Sequence, residues 1–459
     1  MISNFNEMRK LGIIIAFWIS AIFLPVWIVS WAVGVFLPML IEGMNPGPEL
    51  SCLADILRLA TPIISLLVFI PINATFMVLY ERRALALFTV RMGPNRVGPD
   101  GLLQTAADAV KLLLKEDITP RGADAFMFTL APIVFFAPSI IGALPILAAI
   151  TNNHPLFAIT NLPTGIFYIL ASASIPLVAL VMAGWSSNNK YSLVGGLRAA
   201  AQAISYEIPL VLSLVTVCLM AGTLDVVKIV QQQDGGFLNW NILGGGALRG
   251  VDAALKLAMT GQDWTPAIAT CYPAGALSFL SAVVLVICSH ILLGLYLTGA
   301  CAEINRIPFD LPEAESELVS GYNTEYSGMK FAIFFLAEFT NLFIVSSIAT
   351  VMFLGGGDNP IPQWLLDAMN LTQIQTALAT GLTFFINQIH LIDPDTFWSM
   401  AWVILKVYSL VFFAILIRGT LPRFRIDQLM DFGWKRLVPL SLIAFLLVVF
   451  ARVLVVCHG

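Results

Sequence analysis

The chain predicts an all-α polytopic membrane protein, and three observations carry that reading. Only 11% of its 459 residues are charged and 58% are hydrophobic, whereas an ordinary soluble domain carries roughly twice that charged fraction. Mean hydropathy is +0.87. Apolar stretches of span length recur along the chain, because a hydrocarbon core about 30 Å thick takes about 20 helical residues. The formal charge of −4 argues against a nucleic-acid partner, which needs a basic face.

Taken in order, the first element follows Met8-Arg9-Lys10. The run Leu11 to Ile41 is too long for a signal-peptide core and lacks a small-residue cleavage pattern, so it is predicted to be a membrane helix. Further spans are predicted near 61–80, 123–149, 163–184, 198–222, 276–300, 329–354, 396–417 and 437–456, which makes about nine. Pro25, Pro132, Pro138, Pro176 and Pro209 fall inside spans, as membrane helices tolerate where neighbours satisfy the freed carbonyls. With the N-terminus in the cytoplasm, eighteen Lys and Arg fall in inner segments and four in outer ones. This bias sets the expected topology, with the C-terminus outside.

Between the second and third spans, Glu81 to Arg121 opens on the charged triplet Glu81-Arg82-Arg83. It turns through MGPNRVGPDG and runs into GLLQTAADAVKLLLKED. In this last piece Gln104, Asp108, Lys111 and Lys115 share one helical face, and Leu102, Ala106, Val110 and Leu113 another. An amphipathic helix lying along the membrane surface is expected. Its plainest role is a surface anchor. The acids and amides beside its bases suit a protein or cavity wall better than lipid phosphate.

Two further spans hold acids. Glu207, in QAISYEIP, and Glu338, in FFLAEF, each lie roughly 14 Å into a predicted span at 1.5 Å per residue. Lys406 is predicted at comparable depth in the eighth span. A charge at mid-bilayer costs about 2.5–3.5 kcal/mol on insertion scales, so three ionisable groups at one level suggest a shared hydrated path. The plainer reading has the acids pinning helices and Lys406 serving as a fixed counter-ion. A carboxyl group removed from water also becomes able to exchange protons near neutral pH.

The most polar stretch is Cys301 to Lys330, between two apolar runs. Glu303, Asp310, Glu313, Glu315, Glu317 and Glu325 face only Arg306 and Lys330 there. The turn PFDLP separates Glu303 from the EAESE cluster, and Leu318 and Val319 suit a loop folded back onto protein. Six close carboxylates repel unless some are protonated. A solvated acidic surface is the bland alternative. Cysteines 52, 218, 271, 288, 301 and 457 form no CxxC, and the four histidines are scattered, so no iron-sulfur, zinc or other metal site is expected. Cys52 and Cys271 fall in loops expected outside, where either a disulfide or free thiols would fit.

Four blocks, YERRALALFTVRMGPNRVGPDGLLQTAADAVKLLLKED, NNKYSLVGGLRAAAQAISYEIP, EINRIPFDLPEAESELVSGYNTEYSGMKFAIFFLAEF and LPRFRIDQLMDFGWK, resemble the quinone-proximal membrane subunit of respiratory complex I. That subunit is called H in bacteria and subunit 1 in mitochondria. The resemblance runs from about 61 to 456 and implies a core of eight spans, so residues 1–60 would hold an extra membrane helix and outer loop. Two outer loops, about 223–275 and 355–395, are longer than the family's, with surface helices expected near 247–259 and 361–380. Thr89 stands where many relatives carry Gln.

The resemblance also implies a function. Quinone is the substrate, reduced by an iron-sulfur protein docked on the cytoplasmic face of a bacterial inner membrane. Flavin and iron-sulfur clusters belong to partner subunits, and antiporter-like membrane subunits lie alongside. This chain would wall the lipid side of the quinone chamber, where an apolar path ends in a few polar groups. Glu81, Arg82, Arg91, Arg96, Arg198, Arg306 and Asp310 are the candidates for lining it or holding the docked subunit. Proton coupling would run through the loop acids and Glu303, Glu207 and Glu338. Two alternatives stay open: the related subunit of an energy-converting hydrogenase or formate-oxidising complex, and an ion channel or transporter working alone.

Overall fold

The computed structural model describes residues 25–26, 28–43, 48–151, 162–259, 276–312, 319–362, 365 and 394–458. Every regular element among them is helical. A π-helical turn, Ala32–Phe36, leads into α1, Leu37–Gly43. α2 follows over Pro48–Phe88, 41 residues, about 60 Å at 1.5 Å per residue. Then come α3 (Gln104–Leu114), α4 (Ala125–Ile150), α5 (Gly165–Ser186) and α6 (Lys190–Ala221). α7 (Val226–Gln232) and α8 (Arg249–Met259) are short. α9 (Ala276–Glu303), α10 (Gly328–Phe353) and α11 (Pro394–Thr420) are long again. α12 (Ile426–Phe432) joins α13 (Val438–His458) through a second π turn, Gly433–Leu437.

Among the described residues, eight helices are long and apolar enough to cross a membrane, and they fall where the eight predicted spans after the first were placed. α2 and α6 begin before the predicted starts at 61 and 198, because their first turns, PELSC and KYSLVGG, are polar yet continue the helix. Of the predicted Leu11–Ile41 span, residues 11–24 and 27 lie outside the described residues. The apolar helix Ile28–Met39 occupies the rest, and its Ser30 hydroxyl shares a 2.7 Å hydrogen bond with Ser65 of α2. The suggested Cys52 to Cys271 pairing also lies outside, through Cys271. Of the two expected surface helices, α8 is observed; the other falls almost wholly outside.

Small residues set the packing. A Cβ on Gly184 would sit 2.7 Å from the Ser192 carbonyl oxygen, and one on Gly142 would sit 2.6 Å from Ser172 Oγ, so α4, α5 and α6 approach as only small side chains allow. Asp124 caps α4 by accepting from the Phe126 and Met127 amides, and Asn189 caps α6 by accepting from Tyr191. A core of Leu210, Leu214, Leu292, Tyr296, Ile348 and Val448 fills the space between α6, α9, α10 and α13.

The alternation of the spans gathers the C-terminal ends of α2, α5, α9 and α11 at one end of the bundle, together with the GPNRVGPDG turn and α3. This is the basic end. Gly101 holds φ +73° there, and a Cβ would overlap the Pro94 carbonyl, so the turn requires glycine at this position. α3 is the expected amphipathic helix. Its Asp108 pairs with Arg82 at 2.7 Å, Thr105 is buried, and Leu103, Val110, Leu113 and Leu114 are exposed. At the opposite end the long 223–248 connection folds over the end of α10. Gln233 donates to the Val351 carbonyl at 2.9 Å and Asn241 to that of Met352 at 2.7 Å. Together they satisfy carbonyls that a helix C-terminus leaves unpaired.

Candidate functional site

Two cavities meet inside the basic half of the bundle. The one nearer the surface has a volume of about 250 Å³, and its wall includes Glu81, Arg82, Arg306, Asp310, Glu338 and Arg418. α2 positions Glu81 at 5% exposure, where one carboxylate oxygen lies 2.5 Å from Arg306 and the other contacts Arg418. This single acid therefore ties α2 to the loop after α9 and to the end of α11. The Arg306 guanidinium also lies over the Phe339 ring, 4.5 Å from its centroid, a favourable cation–π arrangement. Asp310 is held by Arg423 at 2.6 Å. The wall is thus lined by paired charges above an apolar side formed by Val78, Leu85 and Phe335.

The second cavity, about 90 Å³, lies between α4, α5, α6, α9 and α10 and is lined by Glu207, Glu303, Glu338, Ser174, Asn341 and Tyr296, among others. Ser174 donates to Glu207 at 2.5 Å, and Tyr322 of the 319–327 loop donates to Glu338 at 2.8 Å. Ser139 donates to Asn341, one helical turn beyond Glu338, at 2.6 Å. Ile304, Asn305 and Glu338 belong to the walls of both cavities. Asn305 accepts from Gln202 at 3.2 Å, and the same Gln202 amide donates to the Ala302 and Phe309 carbonyls at 2.7 Å each. That bonding fixes the backbone at the neck between the two spaces.

The predicted site residues divide accordingly. Glu207, Glu303 and Glu338 share one cavity, while Glu81, Arg82, Arg306 and Asp310 line the other. Arg91 and Arg96 project from the exposed GPNRVGP turn, and Arg198 lies half-buried on α6; none of the three lines either cavity. Glu325 instead accepts from Asn189 at 2.7 Å, beside a shallow polar recess formed by Pro120, Gly122 and Lys190. Next to it Tyr326 stacks on Phe128 at 4.1 Å, and burial pushes its phenol up to about 12, so it remains a donor. Glu313, Glu315 and Glu317 lie outside the described residues. The described loop acids do not form one cluster, since Glu303, Asp310 and Glu325 each face a different neighbourhood.

Lys406 is likewise apart from the acids. Its ammonium donates to the carbonyls of Leu354, Gly356 and Asp358 at 2.8, 2.9 and 2.7 Å and sits 4.1 Å from the Trp240 ring centroid. Gly355, at φ +71°, packs its Cα on that same indole where a Cβ would clash. The lysine fills a cradle of carbonyls at the C-terminal end of α10, where a cation also complements the helix dipole.

Ser139, Ser174, Tyr322 and Asn341 were not singled out from the sequence. Hydroxyls and amides within spans usually bond their own helix, as Thr340, Ser346 and Thr350 do here. The one available signal was Tyr322, which stands in the same SGYNTEY block as Glu325.

A buried carboxylate clamp, a three-glutamate cavity and the SGYNTEY loop beside it all fall within one matched region. The family model described as NADH dehydrogenase matches residues 61–449, from within α2 to within α13. The chain belongs to the NADH dehydrogenase family, that of subunit 1, or H, of complex I.

Proposed function

We propose that this chain forms the membrane side of the quinone chamber in a proton-translocating NADH:quinone oxidoreductase and links quinone reduction to proton movement. The observation that carries this reading is that Glu338 stands in the wall of both cavities. The paired charges of Glu81, Arg306, Asp310 and Arg423 suit the polar end of a chamber whose other side is apolar. Flavin and iron-sulfur clusters reside on partner subunits, docked at the basic end, which faces the cytoplasm of a bacterium in this reading.

Reduction of quinone draws protons and changes the charge in the outer cavity, and Glu338 is the first titratable group that both spaces share. A proton taken or given there reaches Glu303 and Glu207 through the enclosed cavity and leaves toward antiporter-like subunits alongside. Ser174 and Tyr322 hold Glu207 and Glu338 in place for exchange. The test is to assay Glu338→Gln and Glu207→Gln in the assembled complex for inhibitor-sensitive quinone reduction and for proton uptake in vesicles. Loss of proton translocation in both variants is expected. Full electron transfer together with full pumping in both would remove the route.

A further inference from the structure

We propose that the His290 face of α9 is the docking surface for a membrane helix of a companion subunit, and that this helix donates a hydrogen bond to the imidazole. His290 lies near the middle of the 25-residue span Phe279–Glu303, roughly 17 Å from its start at 1.5 Å per residue. The opposite side of the helix is core, with Leu285, Cys288, Leu292 and Tyr296 buried against α6 and α13. His290 is on the outside, in line with exposed Val283 and Ile287. An ionisable side chain at this depth normally faces protein or a water-filled cavity, not lipid.

The ring's own hydrogen bond states what must meet it. His290 Nδ1 lies 2.8 Å from the Val286 carbonyl oxygen. A carbonyl only accepts, so the contact is made by the tautomer with hydrogen on Nδ1, and in that tautomer Nε2 is a lone-pair acceptor. Hydrocarbon supplies no donor. The matching group is a hydroxyl, an amide or a protonated carboxyl on a neighbouring span. One turn further along the same face, Gly294 has nothing within 4 Å of where a Cβ would stand, which leaves room for a second helix to approach closely. The contrast with α13 is direct, because its exposed face is Ile443, Leu446, Leu447 and Phe450, which suits lipid alone. Members of the family assemble with other complex I subunits, so a companion span is available.

The intact complex tests this by photo-crosslinking with p-benzoylphenylalanine placed at Ile287, and at Leu446 as the reference. Expected is capture of one membrane subunit from position 287 and of lipid alone from 446. His290→Leu should weaken retention of that subunit through a detergent wash several-fold, whereas His290→Gln, which keeps an acceptor, should retain it. Capture of lipid only at 287, capture of another segment of this same chain, or equal retention in the Leu and Gln variants would each overturn the proposal. The readout is subunit contact, so it stands or falls separately from the quinone-chamber reading.

Discussion

The phenol of Tyr322 reaches from the 319–327 loop into the membrane bundle and donates a 2.8 Å hydrogen bond to Glu338 on α10. Tyr322 is fully buried and packs edge-on against Phe334, with ring centroids 5.6 Å apart, and Tyr326 of the same loop packs edge-on against Phe334 at 5.0 Å, so two aromatic side chains key the loop to the span. Tyr322→Phe keeps this packing and removes only the donor. A hydrogen bond of this kind contributes about 0.5–1.5 kcal/mol net. Inhibitor-sensitive quinone reduction in membranes is expected to fall by up to about tenfold while the complex still assembles on native gels.

Glu81 serves two arginines, so removing it leaves two cations side by side. Breaking a buried pair costs about 3–5 kcal/mol when a charge is stranded. Arg306 is 12% exposed and Arg418 35%, and water screens the second more. The expected order of destabilisation is Glu81→Ala greatest, Arg306→Ala next and Arg418→Ala least. Thermal midpoints of the detergent-solubilised complex, read by fluorescence-detected chromatography, give that order directly.

Lys406→Met strands three carbonyl oxygens that now share one ammonium. The loss is on the order of 3 kcal/mol and should appear as a lower thermal midpoint and faster proteolysis of the 354–358 turn. Lys406→Arg should not restore it, since a planar guanidinium cannot present its donors to three converging carbonyls as an ammonium does. Because Lys406 lines neither cavity, the surviving complex is expected to keep its ratio of protons moved to electrons transferred.

At the same end of the bundle, burial and then the nearby Asp358 carboxylate raise Asp234 from 3.8 to about 6. The folded chain therefore holds this proton more tightly than the unfolded chain. Its stability contribution is fully present below pH 3.8 and is lost as pH rises through about 6. Asp234→Asn should thus gain on the parent across that window and hold a constant advantage above it. Asp234 is only partly withdrawn from water, so solvent screening limits the gain to under about 1 kcal/mol. Thermal midpoints of the two proteins between pH 4 and pH 7 show the divergence.

The spans were legible because burial in lipid demands a continuous apolar run, and the polar first turns of α2 and α6 were missed for the same reason. Glu207 and Glu338 could be placed at one depth from residue counts alone. Counting gives depth but not direction around the bundle. Lys406, assigned a similar depth, turned out to face the residues 354–358 turn. The loop acids illustrate the reverse limit: neighbours in sequence, Glu303, Asp310 and Glu325 are separated by the fold, each finding its own partners. The hydroxyl and amide residues that complete the glutamate cavity carry no pattern of their own. Only the convergence of five helices distinguishes Ser174 or Asn341 from ordinary span serines and asparagines.

A carboxyl group in a wall common to two chambers binds them by reciprocity. Whatever free energy an occupant of the outer chamber spends in favouring one form of Glu338, the protonation of the inner chamber must return in that occupant's affinity. Under the proposed function, inhibitor binding at the basic end and proton occupancy deep between the helices are reciprocally coupled.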